Sequence, residues 1–134
     1  MNLTEVIDKI APFLKWAGGK RWLVRDHPHL MPASYKRFFE PFLGSGAVYF
    51  HVDPAAAVLG DSNKDLIDTY LGLKENYKKV LALLRFHQRN HGKRYYYHMR
   101  QSIPRSLEGK AARLIYLNRT CWNGLYRCAL NRVL

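Results

Sequence analysis

The sequence predicts an α/β fold: two short parallel strands joined through a helix, followed by helices alone. Three observations predict it. Two short apolar runs, Arg37 to Pro41 and Ala55 to Leu59, are bounded by turn residues, as buried strands are. Between them Gly44-Ser45-Gly46 opens a helical stretch, and strands joined through a crossover helix run parallel. From Ser62 the apolar residues change to helical spacing.

The elements follow in order. Residues 3–11 suit a short amphipathic helix with Thr4 as cap, broken by Pro12. Residues 13–20 are loop-like and end in a Gly pair. Residues 21–31 read as helix until Pro28 and Pro32 interrupt. The first strand spans 37–41, the loop 42–46 follows, and Ala47 to His51 starts a helix. Asp53-Pro54 is a turn. The second strand, 55–59, ends at Gly60-Asp61. Leu66, Ile67, Tyr70, Leu71, Leu73, Val80, Leu81, Leu83 and Leu84 then mark a helix to about residue 90. Two more helices are expected over 94–102 and 108–118.

The chain has 134 residues, enough for one modest domain, and its 48% hydrophobic content can build a core. Twenty-two Lys and Arg face ten Asp and Glu, a formal net charge of +12. That excess points to a polyanionic partner, nucleic acid ahead of an anionic membrane. No stretch reaches the roughly 18 to 20 apolar residues of a membrane span, and no secretory leader pattern is visible. Cys121 and Cys128 form neither a disulfide framework nor half of a zinc set, so no metal is expected. Reduced thiols in a cytoplasmic protein are the expectation.

Strand, Gly-x-Gly turn, helix is the geometry of nucleotide-type cofactor sites. Gly44 and Gly46 let the backbone turn tightly and approach a ligand. Asp61, at the tip of the next strand, is placed to accept hydrogen bonds from a ribose. A third glycine is missing, which disfavours NAD, and Ala17-Gly18-Gly19-Lys20-Arg21 lacks the spacing of an NTPase phosphate loop.

Four segments carry a family resemblance. Phe13-Leu14-Lys15-Trp16-Ala17-Gly18-Gly19-Lys20, Phe39-Glu40-Pro41-Phe42-Leu43-Gly44-Ser45-Gly46, Leu59-Gly60-Asp61-Ser62-Asn63-Lys64-Asp65-Leu66-Ile67 and Tyr116-Leu117-Asn118-Arg119-Thr120-Cys121-Trp122-Asn123-Gly124-Leu125-Tyr126-Arg127 occur in that order. Together they resemble the signatures of the Dam-type (alpha-class) S-adenosylmethionine-dependent DNA adenine methyltransferases. The likeness covers residues 12 to 127.

The resemblance implies an incomplete Rossmann-like methyltransferase sheet with a mostly helical start of a DNA-recognition module. It implies a cofactor-binding part over residues 1–90 and the recognition module from 91 to 134. Trp16 and Lys20 match positions that contact S-adenosylmethionine. An indole offers a packing surface and an ammonium pairs with a carboxylate; core packing and a solvated charge are the plain alternatives. Glu40, Phe42, Gly44 and Gly46 match the loop around the methionine part. Glu40 either holds the amino group, directly or through water, or orients the loop backbone. Asp61 matches the ribose-binding acid, with a helix N-cap as the alternative.

On the DNA side, Arg119, Trp122, Asn123 and Arg127 fall in the segment that begins target recognition. Trp122 matches an aromatic wedge, Asn123 a polar neighbour and Arg127 a guanine-reading arginine. A corner with Trp122 in a hydrophobic cluster is the structural alternative. Lys93, Arg94, Arg100, Arg105, Lys110 and Arg113 are expected to meet phosphates collectively.

The family's catalytic Asp-Pro-Pro-Tyr motif does not occur in these 134 residues; Asp53-Pro54-Ala55-Ala56 lacks its aromatic and its place. The expected chain is therefore the front portion of an adenine methyltransferase acting on duplex DNA, GATC-like in target by the match at Arg127, and inactive alone. It would need a missing C-terminal half or self-associate through an open sheet edge. The alternative is a catalytically inactive DNA-binding or cofactor-binding remnant.

Overall fold

The computed structural model describes residues 10–124, with Asn123 described in its backbone only. The expected helix at 3–11 lies almost wholly outside that range. The chain divides into two compact units, Met1–Ser62 and Asn63–Leu134.

The first unit is α/β. Helix α1 spans Arg21–Asp26 and a single 3-10 turn follows at Pro28–Leu30. Proline fixes its own φ and lacks an N–H, so it ends α1 and starts the next turn. Strand β1 (Phe38–Glu40) pairs in parallel with β2 (Ala57–Leu59), with Phe38 opposite Ala57 and Glu40 opposite Leu59. Helix α2 (Ala47–Val52) is the crossover between them.

Strand periodicity sends Phe38 and Glu40 to one face and Phe39 to the other. Phe38 meets Tyr49 of α2, ring centroids 6.4 Å apart. Phe39 and its opposite number Val58 stay exposed. Among the described residues Leu14, Leu43 and Ala47 are the buried apolar residues of this unit. Asp53 closes α2 with a left-handed backbone, φ 49°, which is the turn expected at Asp53-Pro54.

The second unit is helical: α3 (Lys64–Arg89), α4 (Lys93–Gln101), α5 (Leu107–Thr120) and a 3-10 turn at Trp122–Gly124. Asn63 caps α3, its side chain accepting from Leu66 N–H at 3.1 Å, and Ser106 caps α5 in the same way. Periodicity reads α3 as one continuous helix, but Asn76 interrupts it with φ −153° and ψ 72°. The Asn76 carboxamide accepts from Lys79 N–H at 3.1 Å, so it caps the second segment as a helix start.

Val80, Ala111 and Ala112 form one buried cluster, joined by Leu73, Leu83, Leu84 and Ile115. Met99, Tyr116 and Leu117 form another, which shares Leu84. No described helix is long and apolar enough to cross a membrane.

The two units differ in charge. Residues 1–62 hold seven Lys and Arg against six Asp and Glu, net +1; residues 63–134 hold fifteen against four, net +11. The basic excess read from composition is thus a property of the helical unit.

Candidate functional site

The first unit brings the loop 13–20, the loop 41–46 and the tip of β2 into one place. Gly60 N–H donates to the Glu40 carbonyl at 2.9 Å, which extends the sheet by one rung. Leu43 N–H then donates to the Gly60 carbonyl at 2.8 Å, tying the loop after β1 to the end of β2. Gly44 and Gly46 have φ of +53° and +72°, values that an L side chain rarely adopts. Gly46 is the N-cap of α2, so the left-handed turn feeds directly into the helix.

Asp61 reaches back over this loop: Gly44 N–H donates to its Oδ2 at 2.9 Å. The N-cap role weighed for Asp61 belongs instead to Asn63. Trp16 is half-buried and lies against the loop, since a Cβ on Gly44 would stand 3.3 Å from the indole Cδ1. Any side chain at residue 44 would therefore be strained twice, by φ and by the indole.

Glu40 is buried at the end of β1. Its Oε2 accepts from Tyr49 N–H at 3.1 Å, in the first turn of α2. Its Oε1 lies 3.0 Å from Lys20 Nζ, an ion pair, yet accepts no hydrogen bond. Lys20 donates to the Phe42 carbonyl instead. Lys20 thus links the Gly-Gly loop to both ends of the 40–42 segment. The Phe42 side chain points outward and is 78% exposed.

All seven expected cofactor residues (Trp16, Lys20, Glu40, Phe42, Gly44, Gly46 and Asp61) lie in this cluster. Sequence reading did not single out Ser45 or Tyr49. Ser45 is buried with its Oγ 3.6 Å from where a Gly19 Cβ would be, and Tyr49 supplies only its N–H. A serine between two glycines was the one available signal.

A zwitterionic amino-acid moiety fits this donor set. The buried Glu40 Oε1 accepts no hydrogen bond of good geometry and faces the Lys20 ammonium of its ion pair at 3.0 Å, so the two opposite charges stand ready for the two ends of such a moiety, and Gly44 brings bare backbone against the Trp16 indole.

The expected DNA-reading residues lie at the end of the second unit. Arg119 is exposed on α5. Trp122 is 85% exposed in the turn after it, which excludes the alternative of a hydrophobic cluster among the described residues. The corner itself is present. Asn118 is buried and its Nδ2 donates to the Gly124 carbonyl at 3.3 Å, while Gly124 takes φ +70°. The Asn123 side chain and Arg127 lie outside the described residues.

The six expected phosphate-facing cations do not behave alike. Lys110 Nζ pairs with the buried Asp68 Oδ2 at 2.8 Å, together with Lys64. Arg113 donates to the Met99 and Arg100 carbonyls, each at 2.8 Å, and so satisfies the end of α4. These two hold α5 to its neighbours. Lys93, Arg94, Arg100 and Arg105 remain exposed.

Comparison with known proteins bears on the same residues. The D12 class N6 adenine-specific DNA methyltransferase family matches residues 16–132. The type II methyltransferase M1.LlaDCHI of Lactococcus lactis subsp. cremoris is 44% identical over 124 residues, 88% of this chain and 44% of that protein. The DNA adenine methylase of Serratia marcescens is 37% identical over 120 residues, 86% of this chain and 44% of its own length. That of Escherichia coli K12 is 34% identical over 119 residues, 86% of this chain and 42% of its own length. The chain spans less than half the length of these relatives.

Proposed function

On the premise that this chain belongs to the D12 class of N6 adenine-specific DNA methyltransferases, we propose that it is the cofactor-binding and target-reading front of an enzyme that methylates adenine N6 in duplex DNA. The methyl donor in this reading is S-adenosylmethionine and the target is GATC-like. Residues 1–90 serve the cofactor and residues 91–134 begin target recognition.

The observation that carries the reading is the convergence on Glu40. One buried carboxylate meets Lys20 from the Gly-Gly loop and Tyr49 from α2, while Asp61 holds Gly44 beside it. Bound S-adenosylmethionine would supply an electrophilic methyl carbon on its sulfonium. Glu40 and Lys20 would hold the amino and carboxylate ends of its amino-acid part. Trp16, Phe42 and the bare backbone of Gly44 and Gly46 would line its apolar length, and Asp61 would take the ribose hydroxyls.

On the DNA side, Trp122 would wedge into the duplex from its corner, and Arg119, Asn123 and Arg127 of the same segment would contact the target. Taking a base out of the stack costs a few kcal/mol, which an inserted aromatic ring offsets. No Asp-Pro-Pro-Tyr motif occurs in these residues, so nothing here accepts the adenine amino protons. The 134 residues alone are therefore inactive, and activity needs a segment that carries that motif. Among the described residues Phe39 and Val58 stay exposed on the two-stranded sheet, which supports docking of such a segment, or self-association through the open sheet edge, at that sheet.

Two measurements test this. Calorimetry should show S-adenosylmethionine and its demethylated product binding to the folded chain; no binding by either would remove the cofactor assignment. Tritiated methyl transfer to GATC duplexes should be absent with the chain alone and appear when an Asp-Pro-Pro-Tyr-bearing C-terminal half of a relative is added. Transfer by the chain alone would overturn the assignment of inactivity.

A further inference from the structure

Residues 76–107 contain eight Lys and Arg, three His and no Asp or Glu. Within this run the end of α3 and the start of α4 enclose a cleft of about 520 Å³, lined by Asn90, Gly92, Lys93, Arg94, Tyr95 and His98. None of the described ion pairs involves Lys93 or Arg94.

The cleft walls are fixed from behind. Tyr95 OH lies 2.6 Å from His87 Nδ1, and His91 Nδ1 lies 2.9 Å from Tyr116 OH on α5. Asn90 Nδ2 donates to the Phe86 carbonyl at 2.8 Å, closing the end of α3. Gly92 supplies no capping side chain to α4, so no carboxylate or hydroxyl of the cap competes for the space. Two cations that the fold does not use are thus mounted on a braced, concave surface free of negative charge.

We infer that this cleft is a sequence-independent phosphate clamp for duplex DNA, in which Lys93 and Arg94 grip the backbone and set affinity but not target choice. It rests on the reading of the chain as a DNA-binding protein and adds a second contact region to the Trp122 corner. Lys110 and Arg113, spent on Asp68 and on the end of α4, take no part.

The test is duplex binding by fluorescence anisotropy across a salt series, on the full 134-residue chain. Lys93→Gln/Arg94→Gln removes two phosphate contacts. Each is worth about 0.9 in the slope of log K against log salt, so the slope should fall by about 2 and affinity at 0.1 M salt by roughly 10- to 60-fold. The loss should be equal on GATC-containing and scrambled duplexes. Lys74→Gln/Lys78→Gln removes the same charge from α3. At about 1.5 Å per residue Lys78 is about 18 Å along the helix from Asn90, beyond the ~8 Å screening length, so this variant should bind as wild type.

Both pairs are exposed, and circular dichroism should show both variants folded. Equal losses in the two variants, a loss on GATC duplex alone, or an unchanged Lys93→Gln/Arg94→Gln variant would each overturn the clamp while leaving duplex binding intact. Failure of the wild-type chain to bind any duplex, whether or not RNA or anionic vesicles bind, would overturn the clamp and the DNA reading together.

Discussion

Gly44 N–H donates to Asp61 Oδ2 at 2.9 Å, so the acid at the tip of β2 holds the glycine loop that follows β1. The two residues are 17 apart in sequence, and the parallel pairing of β1 and β2 is what brings them together. Asp61 in this arrangement shapes the loop, and in the proposed reading it also takes the ribose hydroxyls. Replacing it therefore acts twice.

Asp61→Ala removes a charged acceptor, and such hydrogen bonds contribute about 1.5 to 3 kcal/mol. S-adenosylmethionine affinity measured by calorimetry should fall roughly 10- to 100-fold. Asp61→Asn keeps an acceptor for Gly44 N–H and should lose less. Equal losses in the two variants would mean that the charge alone matters.

Lys20 and Glu40 give a stability prediction that needs no ligand. Removing one partner of a buried pair leaves an uncompensated charge, about 3 to 5 kcal/mol where burial is complete. Lys20 keeps 29% of its side-chain surface in water, so Lys20→Met should cost about 1 to 2 kcal/mol in urea unfolding. Glu40→Gln keeps an acceptor for Tyr49 N–H and should cost less. Lys20→Met/Glu40→Gln should recover part of the Lys20→Met loss, because no unpaired carboxylate remains. A double variant as unstable as the sum of the singles would show that the two residues do not interact.

The geometry of the candidate site was legible where it follows local spacing. The Gly44-x-Gly46 turn and Asp61 after the next apolar run are read along the chain, and the parallel strand pair forms where the runs were placed. Contacts set by packing were not legible. Lys110 is 42 residues from Asp68, and its spacing looks like any exposed helix lysine. Asn76 hid inside a helix because Leu73 and Val80 keep the apolar stripe going on both sides of it. A lone polar residue that caps a second segment leaves no mark on periodicity.

Gly72, an isolated glycine inside α3, was not singled out from the sequence. The structure supplies the reason: a Cβ there would stand 2.6 Å from the Leu107 carbonyl oxygen and 3.0 Å from Ala111 Cβ. Helix propensity alone favours Gly72→Ala by about 1 kcal/mol. The clash is with backbone, which cannot rotate away, and overpacking costs about 1 to 3 kcal/mol. Gly72→Ala should therefore lower the urea midpoint, against the propensity trend. A raised midpoint would show that α3 and α5 separate without loss.

Acid should weaken the helical unit in two stages. His87 is buried beside Tyr95 and Tyr116, and desolvation pushes its pKa below the ordinary 6.5. The native imidazole then stays neutral while the unfolded chain takes up a proton, so stability present above about pH 6.5 is lost as pH falls toward the lower native value. Asp68 is held below the usual carboxylate range by hydrogen bonds from Lys110 and Lys64. Its contribution is present above the unfolded value near 4 and is lost as pH falls through the native one. Thermal melts followed by circular dichroism should show the midpoint falling as pH drops below about 6.5 and again below about pH 4. His87→Gln should flatten the first stage while lowering the midpoint at pH 7.5. Asp68→Asn should make the second stage shallower, with Glu108, also held low by hydrogen bonds including one from Lys79, supplying what remains. A first stage that survives His87→Gln unchanged would assign the neutral-range titration to another group.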